Sequence, residues 1–434
     1  MKPVSDTIAC VLDHGLFLPL ALRLAEDFKH VFYFSPFEEG FSHIAKGCIG
    51  DGFEDRNLER VSGVFAAKRK GAEVFVFPDI EQSDLQIELR LQGIPVWGSG
   101  AGDSIELNRE KFARILKETG LEVFPHTVVV GVEALREHLR EVEDKYIKIS
   151  RWRGDLETCH WRSYASDSAL LDQWGLKFGP LPMRFLVCDS IETDLEIGSD
   201  GYSVLGKWPS LMLNGIEWKD SSYLAAVTKY ADMPEPLREV MEALSPVFKA
   251  HGVANQFSSE IRIEKDTGKA FFTDPTMRGG LPSTGSQLMA WKNISEIVLA
   301  GAHGELVDPE PTCEYVCEAI LKSKANHRGW EAIEISDELL PHAKLTGCCF
   351  HDGAHCFPSD DSGEKSVGWL VSTGNTPAET LENLKELAEE LPDGLTADVE
   401  SLAHIIEEIE SAEKEGVPFG DPNDPMPEPA EAIS

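Results

Sequence analysis

Apolar and polar residues follow two periods along this chain, and the change from one to the other marks its elements. Short apolar runs of strand type occupy 6–12, 31–34 and 73–77, and segments with helical spacing at 16–28 and 83–92 separate them. Residues 93–100, Gly-Ile-Pro-Val-Trp-Gly-Ser-Gly, add one more short strand and a glycine turn. Strands that alternate with helices predict a parallel sheet wrapped by helices. Further on, the pattern predicts a helix over 109–119 closed by Gly120, a strand over 127–130, a helix over 132–142 and a strand over 145–149. Strands follow over 184–189 and 194–204. Residues 213–223, Leu-Asn-Gly-Ile-Glu-Trp-Lys-Asp-Ser-Ser-Tyr, are too polar for a core and predict a long loop beside a site. Residues 234–251, opened by Pro-Glu-Pro and followed by Gly252, form an amphipathic helix.

That helix delivers the chain to 257–280. Two alternating runs flank Lys265-Asp266-Thr267-Gly268, which predicts a β-hairpin. Pairing sets Glu260 across from Asp274, with Arg278 just beyond the second strand. Two carboxylates are hard oxygen ligands of the kind Mg²⁺ takes alongside water and phosphate oxygens. A neighbouring arginine adds a forked donor for phosphate. Taken alone, such charges are also what any solvated hairpin carries. After Gly280 the chain is largely helical to Leu299, and 301–311 is a linker. Strand-like runs at 313–321, 330–335, 343–350 and 366–372 come next, then two acidic helices over 377–391 and 397–415. From Val417 onward, Pro, Asp and Glu with almost nothing apolar predict a disordered acidic tail.

At 434 residues, two or three domains are expected. The net charge of −35 changes the list of partners. From Glu379 onward, 17 Asp and Glu against 2 Lys place −15 of it at the C-terminal end, and the rest is spread without a basic cluster. Nucleic acid and anionic membrane are therefore not expected as partners. The apolar stretch 16–25 is broken by Pro19 and Arg23, so it reads as neither signal peptide nor membrane span. Nine cysteines without a secretion signal point to reduced thiols and a cytoplasmic location. Cys348, Cys349, His351, His355 and Cys356, with Cys313 and Cys317 upstream, are zinc-ligand types, but their spacing is not that of paired C-x-x-C motifs. Buried strand cysteines fit that spacing better. The turn after the first strand, Asp13-His14-Gly15-Leu16, is no G-x-G-x-x-G. Residues 1–103 thus read as a Rossmann-like domain without a dinucleotide, which counts against an NAD-linked enzyme.

Lys148 lies near the end of a strand that runs into a basic polar turn, 150–158. Lysine, arginine and backbone N–H groups in such a loop can close over phosphates. The order of these parts resembles the ATP-grasp superfamily, in the layout of its phosphoribosylamine-glycine ligase (glycinamide ribonucleotide synthetase)-like members. The match covers most of 1–375. It implies an α/β (α+β) ATP-grasp fold: a Rossmann-like domain over 1–103, a nucleotide-binding domain over 104–300 with a small lysine-bearing subdomain over about 123–190, and a C-terminal β-rich portion with two acidic helices over 301–416, ahead of the tail at 417–434.

Residue by residue, the resemblance implies that Arg109 contacts a nucleotide phosphate, Lys148 grips the phosphates and Arg153 belongs to the loop over them. Cys188 and Asp189 lie in the hinge whose backbone reads adenine, and Glu196 takes the ribose hydroxyls. Glu260 and Asp274 bind the metal, and Arg278, with Lys148, serves the chemistry. Where the family pattern is Glu-x-Asn-x-Arg, this chain has Asp274-Pro-Thr276-Met-Arg278. The implied activity is an ADP-forming carboxylate-amine ligation through an acyl phosphate, with ATP and Mg²⁺ as cofactors and small-molecule carboxylate and amine substrates as partners. A homodimer is open. Residues 214–223 and 280–284 are candidates for substrate contacts. The alternative is a degenerate ATP-grasp scaffold that binds nucleotide or serves as a structural module.

Overall fold

The computed structural model describes residues 1–36, 47–80, 82–150, 158–219, 221–323, 331–358 and 365–414. Arg153 and the predicted tail at 417–434 lie outside these residues.

The chain begins with β1 (Ile8–Leu12), α1 (Leu18–Asp27), β2 (His30–Phe34), β3 (Leu58–Arg60), α2 (Val64–Arg69), β4 (Val74–Val76), α3 (Ser83–Leu91) and β5 (Val96–Trp97). The strands form a parallel sheet in the order β3-β2-β1-β4-β5. Strands of a parallel sheet covered by helices are buried on both faces, which is why β1 and β4 are near-continuous apolar runs. Asp13, fully buried past the end of β1, accepts hydrogen bonds from Gly15 N (3.0 Å), Phe17 N and Tyr33 Oη, so it ties the turn to the start of α1.

Two helices, α4 (Asp103–Leu107) and α5 (Arg109–Thr119), lead out of this sheet. The side chain of Asn108 caps α5 by accepting from Lys111 N at 3.0 Å, and Gly120 ends it at φ 81°. A separate antiparallel sheet follows, built with β6 (His126–Val130), α6 (Val132–Leu139), β7 (Lys145–Ile149), β8 (Thr158–Trp161), α7 (Tyr164–Phe178) and β9 (Arg184–Asp189). Its order is β6-β9-β7-β8. It has its own core of Ile147, Trp161, Trp174, Phe185 and neighbours.

The largest sheet takes β10 (Thr193–Val204), β11 (Leu211–Trp218), β12 (Ser222–Lys229), and, after α8 (Glu235–His251), β13 (Ala254–Glu264) and β14 (Ala270–Thr276). Residues 213–218 and 222–223 are therefore paired strands of a β11–β12 hairpin rather than a long loop. The polarity misled because one face of this hairpin turns toward a cavity while the other is packed; Asn214 is fully buried. The helical stretch after Gly280 is split into α9 (Thr284–Ala290) and α10 (Ile294–Ala302). The sheet then runs on across 301–311 into β15 (Tyr315–Ser323), which pairs with β12.

The remaining elements are β16 (Glu331–Ile333), β17 (Ala343–Leu345), β18 (Cys349–His351), β19 (Ala354–Phe357), β20 (Lys365–Gly374), α11 (Pro377–Glu389), β21 (Leu395–Ala397) and α12 (Leu402–Lys414). β17, β20 and β21 extend the large sheet, whereas β16, β19 and β18 make a small one. The run at 343–350, expected as one strand, is two, because Gly347 at φ 58° breaks it and donates its N–H to Gly15 O at 2.8 Å. Cys349 and Cys356 face each other in the small sheet, both buried beside Cys348, and burial pushes the His355 imidazole down to about 4. None of the described helices is long and apolar enough to cross a membrane.

The small sheet docks on the N-terminal portion through Gly50 N to Cys348 O (3.0 Å) and Phe350 N to Asp51 O (2.9 Å). Immediately after them Gly52 has φ +85°, and a Cβ there would run into Phe350 O. Gly52→Ala is expected to destabilise the chain by at least about 2 kcal/mol, read as a lowered urea midpoint, since neither backbone can yield without losing a hydrogen bond.

Candidate active site

A cavity of about 1210 Å³ lies among the first sheet, the β6–β9 sheet and the large sheet. Its central wall is the β13–β14 hairpin. Here Glu260 sits opposite Asp274, and the register then slips by one residue, so that Ile261 faces Phe272 and Thr273 is the extra residue. Such a bulge re-aims the groups around it. The carbonyl of Thr273 accepts from Lys148 Nζ at 2.8 Å, and its hydroxyl donates to Glu260 Oε1 at 3.1 Å. Lys148 Nζ is also 3.9 Å from Asp274 Oδ1.

Cations and carboxylates alternate along this wall. Arg109 is 1 % exposed and ion-paired with Asp274, so it stands behind that carboxylate rather than among the residues lining the cavity. Burial would raise the Asp274 carboxyl, but Arg109 and Lys148 outweigh it and hold the group well below the usual carboxylate range. Lys219, at the β11–β12 turn, lies 3.6 Å from Glu260 Oε2, and Arg262 lies 3.7 Å from Glu260 Oε1 and 2.8 Å from Glu196 Oε2. Burial and then the Glu260 charge raise the Glu196 carboxyl, and the same two causes push Glu217 up to about 8.

Where the β6–β9 sheet meets the hairpin, the lining includes Phe124, Tyr146, Cys188 and Ile191, a more apolar end. Tyr146 stacks on His160 with ring centroids 4.6 Å apart, and the Arg262 guanidinium lies 5.6 Å from the Tyr146 centroid. Cys188 is buried, which pushes its thiol up to about 11. Asp189 accepts from Lys145 Nζ at 2.8 Å, while its own N–H bonds Pro125 O. At the opposite end, Arg278 Nε donates to Glu106 Oε1 at 3.1 Å, with Asp79 Oδ1 at 3.8 Å. Gly280, Leu281 and Pro282 complete that end.

Lys148, Cys188, Asp189, Glu196, Glu260, Asp274 and Arg278 thus line one cavity, although 130 positions separate the first from the last (278 minus 148). Sequence reading passed over Asp79, Glu106 and Arg262. Lys219 and Glu217 lay inside a segment already marked as close to a site. Asp79 and Glu106 carried no local signal at all, since they are single acids in unrelated elements that only the tertiary fold brings to Arg278.

Behind this end lies a buried network. Asp200 accepts from Tyr223 Oη (2.6 Å), Ser283 Oγ (2.6 Å) and Ser258 Oγ. Glu318 accepts from Ser283 N and Ser286 N, each at 2.7 Å, and from Ser286 Oγ at 2.9 Å, which caps the start of α9. Burial pushes Glu318 up to about 7 from 4.5. A folded-state value raised in this way gives stability that is complete below about pH 4.5 and lost as pH rises through about 7. Urea midpoints of the native chain are therefore expected to fall between pH 5 and pH 8 more steeply than those of Glu318→Gln.

Solved structures share this architecture at low identity. Phosphoribosylamine-glycine ligase from Thermotoga maritima aligns with a TM-score of 0.64 and 16% identity, over 90% of this chain and 98% of that one. The biotin carboxylase domain of 2-oxoglutarate carboxylase from Hydrogenobacter thermophilus, crystallised with MgADP, ADP and bicarbonate, gives 0.65 and 12% over 94% of each. N5-carboxyaminoimidazole ribonucleotide synthetase from Thermus thermophilus gives 0.56 and 15%, over 89% of this chain and 99% of that one. No protein-family model and no curated protein sequence matches the chain. The fold is the ATP-grasp fold, with parallel and antiparallel sheets as expected.

Proposed function

We propose that this chain is an ATP-dependent, ADP-forming ligase that joins a carboxylate to an amine through an acyl phosphate. The observation that carries the reading is the juxtaposition of Glu260 and Asp274 on a bulged hairpin with Lys148 between the hairpin and the β6–β9 sheet. Bringing a polyphosphate and a carboxylate together is a problem of repulsion between anions. Lys148, Lys219, Arg262 and Arg278 all line the cavity and supply opposing charge at both ends of it. The apolar end around Tyr146 and Cys188 suits a purine, and Glu196 suits ribose hydroxyls. The solved structure with MgADP shares this fold, which supports the same ligand here.

The donor set also fits Mg²⁺. Burial, and after it the charge of Glu260, raises the Glu196 and Glu217 carboxyls, and a divalent cation at Glu260 would offset the second of these causes. Glu260 and Asp274 would hold the ion. Bound there, it would neutralise phosphate charge. Lys148 and Arg278 then orient the reacting groups, and Arg109 keeps Asp274 ionised.

Two observations favour a second reading, nucleotide binding without turnover: Asp274 is already engaged by Arg109, and Thr276 stands where the family pattern has an amide. Titration with an ATP analogue, with and without Mg²⁺, followed by ADP release over a panel of carboxylates and amines, decides between them. Binding with ADP release supports the ligase; binding with no release from any pair supports the second reading. Absence of binding overturns both.

A further inference from the structure

Helices α5 and α8 line a second cavity, of about 420 Å³, which shares no lining residue with the active-site cavity. Lys111, Arg114 and Glu118 recur three and four residues apart, so they lie along one face of α5. Lys111 Nζ donates to Ser104 Oγ and, at 3.1 Å, to His251 Nε2. His251 Nδ1 lies 2.8 Å from Val247 O; that nitrogen therefore carries the ring proton, and Nε2 accepts. The half-buried ammonium is thus held by neutral groups at the joint of α4, α5 and α8. Burial and, after it, the Arg114 charge pull it below its usual range, with no carboxylate set against them. Glu110, an acid that feels the Arg114 charge, is bound at both oxygens by Arg184 instead. Glu118 is the one carboxylate among the described lining residues, and it lies two turns along α5 from Lys111.

We infer that this cavity binds a small phosphate monoester, with its phosphoryl oxygens on Lys111 and Arg114 and its organic part against Ile115, Val247 and Ala250. A monoester carries about two negative charges near neutral pH, which the two cations match. The Arg114 fork takes two phosphoryl oxygens, and Lys111 adds a point charge. An ammonium whose partners are all neutral gains an ion pair from such a ligand without giving one up. On a chain of net charge −35, a lining with two cations against one carboxylate is a local reversal of sign that draws anions to it. Ile115, Pro246, Val247 and Ala250 give the cavity an apolar side, so burial of the organic part favours an ester over inorganic phosphate. The site is separate from the nucleotide cavity, and the inference does not rest on the ligase reading.

Calorimetric titration of the full chain with phenyl phosphate tests this, with phenol, benzoate and inorganic phosphate as comparisons. Phenyl phosphate is expected to bind at least about tenfold tighter than phenol or benzoate, and at least about fivefold tighter than inorganic phosphate. Lys111→Gln and Arg114→Gln are each expected to weaken it at least about tenfold, while Lys148→Ala, in the other cavity, leaves it within about twofold. Arg114 is exposed, so its replacement leaves the packing of α5 intact, and Lys111→Gln keeps a donor for Ser104. Absence of saturable binding overturns the inference. So does binding that Lys148→Ala abolishes and Arg114→Gln spares, which puts the ligand among the cations of the nucleotide cavity. Equal affinity for phenyl phosphate and inorganic phosphate overturns it as well, because the apolar side then plays no part. The comparison of probes on the native chain holds however the variants fold.

Discussion

Lys148→Ala is expected to weaken binding of an ATP analogue by about 30- to 100-fold, because it removes a desolvated charge and leaves its partners unpaired. The side chain is 11 % exposed and makes one close hydrogen bond, to the Thr273 carbonyl at 2.8 Å, with Asp274 at 3.9 Å. A phosphate would gain this ammonium as a new partner, while the carbonyl released by the bulge would turn to water. Calorimetric titration measures the change directly. Affinity within about threefold of the native value would mean that Lys148 serves only to brace the bulge. Lys148→Arg keeps the charge but not the reach, so it separates the two roles: bracing fails in both variants, phosphate contact in one far more than in the other.

Glu260→Gln is expected to lower ADP release by about 10²- to 10³-fold at fixed Mg²⁺ and to raise the Mg²⁺ concentration needed for half-maximal turnover. The substitution is nearly isosteric, and the Thr273 hydroxyl can still donate to the amide oxygen, so the hairpin keeps its register. What changes is charge. Lys219 and Arg262 lose their shared carboxylate, and Arg262 keeps Glu196 and its contact with the Tyr146 ring. Steady-state rates across a Mg²⁺ series read the effect; an unchanged Mg²⁺ dependence would remove Glu260 from the metal site.

These effects depend on contacts of very different legibility. The hairpin over 257–280 was readable because alternation around a turn fixes which residues pair, yet that count alone sets Glu260 opposite Thr273, and the one-residue slip brings it opposite Asp274. The slip at Thr273 was not readable, because a bulge depends on how the strand is pulled by the sheet on each side, and here that pull includes Lys148 from another sheet. The hairpin at 213–223 was misread for a related reason. Polar residues on a strand signal exposure only when the strand faces solvent, and this one faces a cavity that elements far away in sequence enclose. Arg109 was found at a helix start as expected, yet its burial behind Asp274 depends on how α5 packs against β14, which no local pattern encodes.

The sequence by itself determined the alternation of strand and helix over the first hundred residues, the cap and terminus of α5, the amphipathic α8 and the β13–β14 hairpin that carries Glu260 and Asp274. Each of these rests on periodicity or on turn and cap chemistry, which act over a few residues. The tertiary structure alone decided that Lys148, Glu196, Glu260 and Arg278 surround one cavity, that Glu106 and Asp79 hold Arg278, and that the large sheet runs on from β12 into β15. Such contacts join segments whose separation leaves no period to read, and their energy comes from desolvated charges that find partners only after the chain has closed around them.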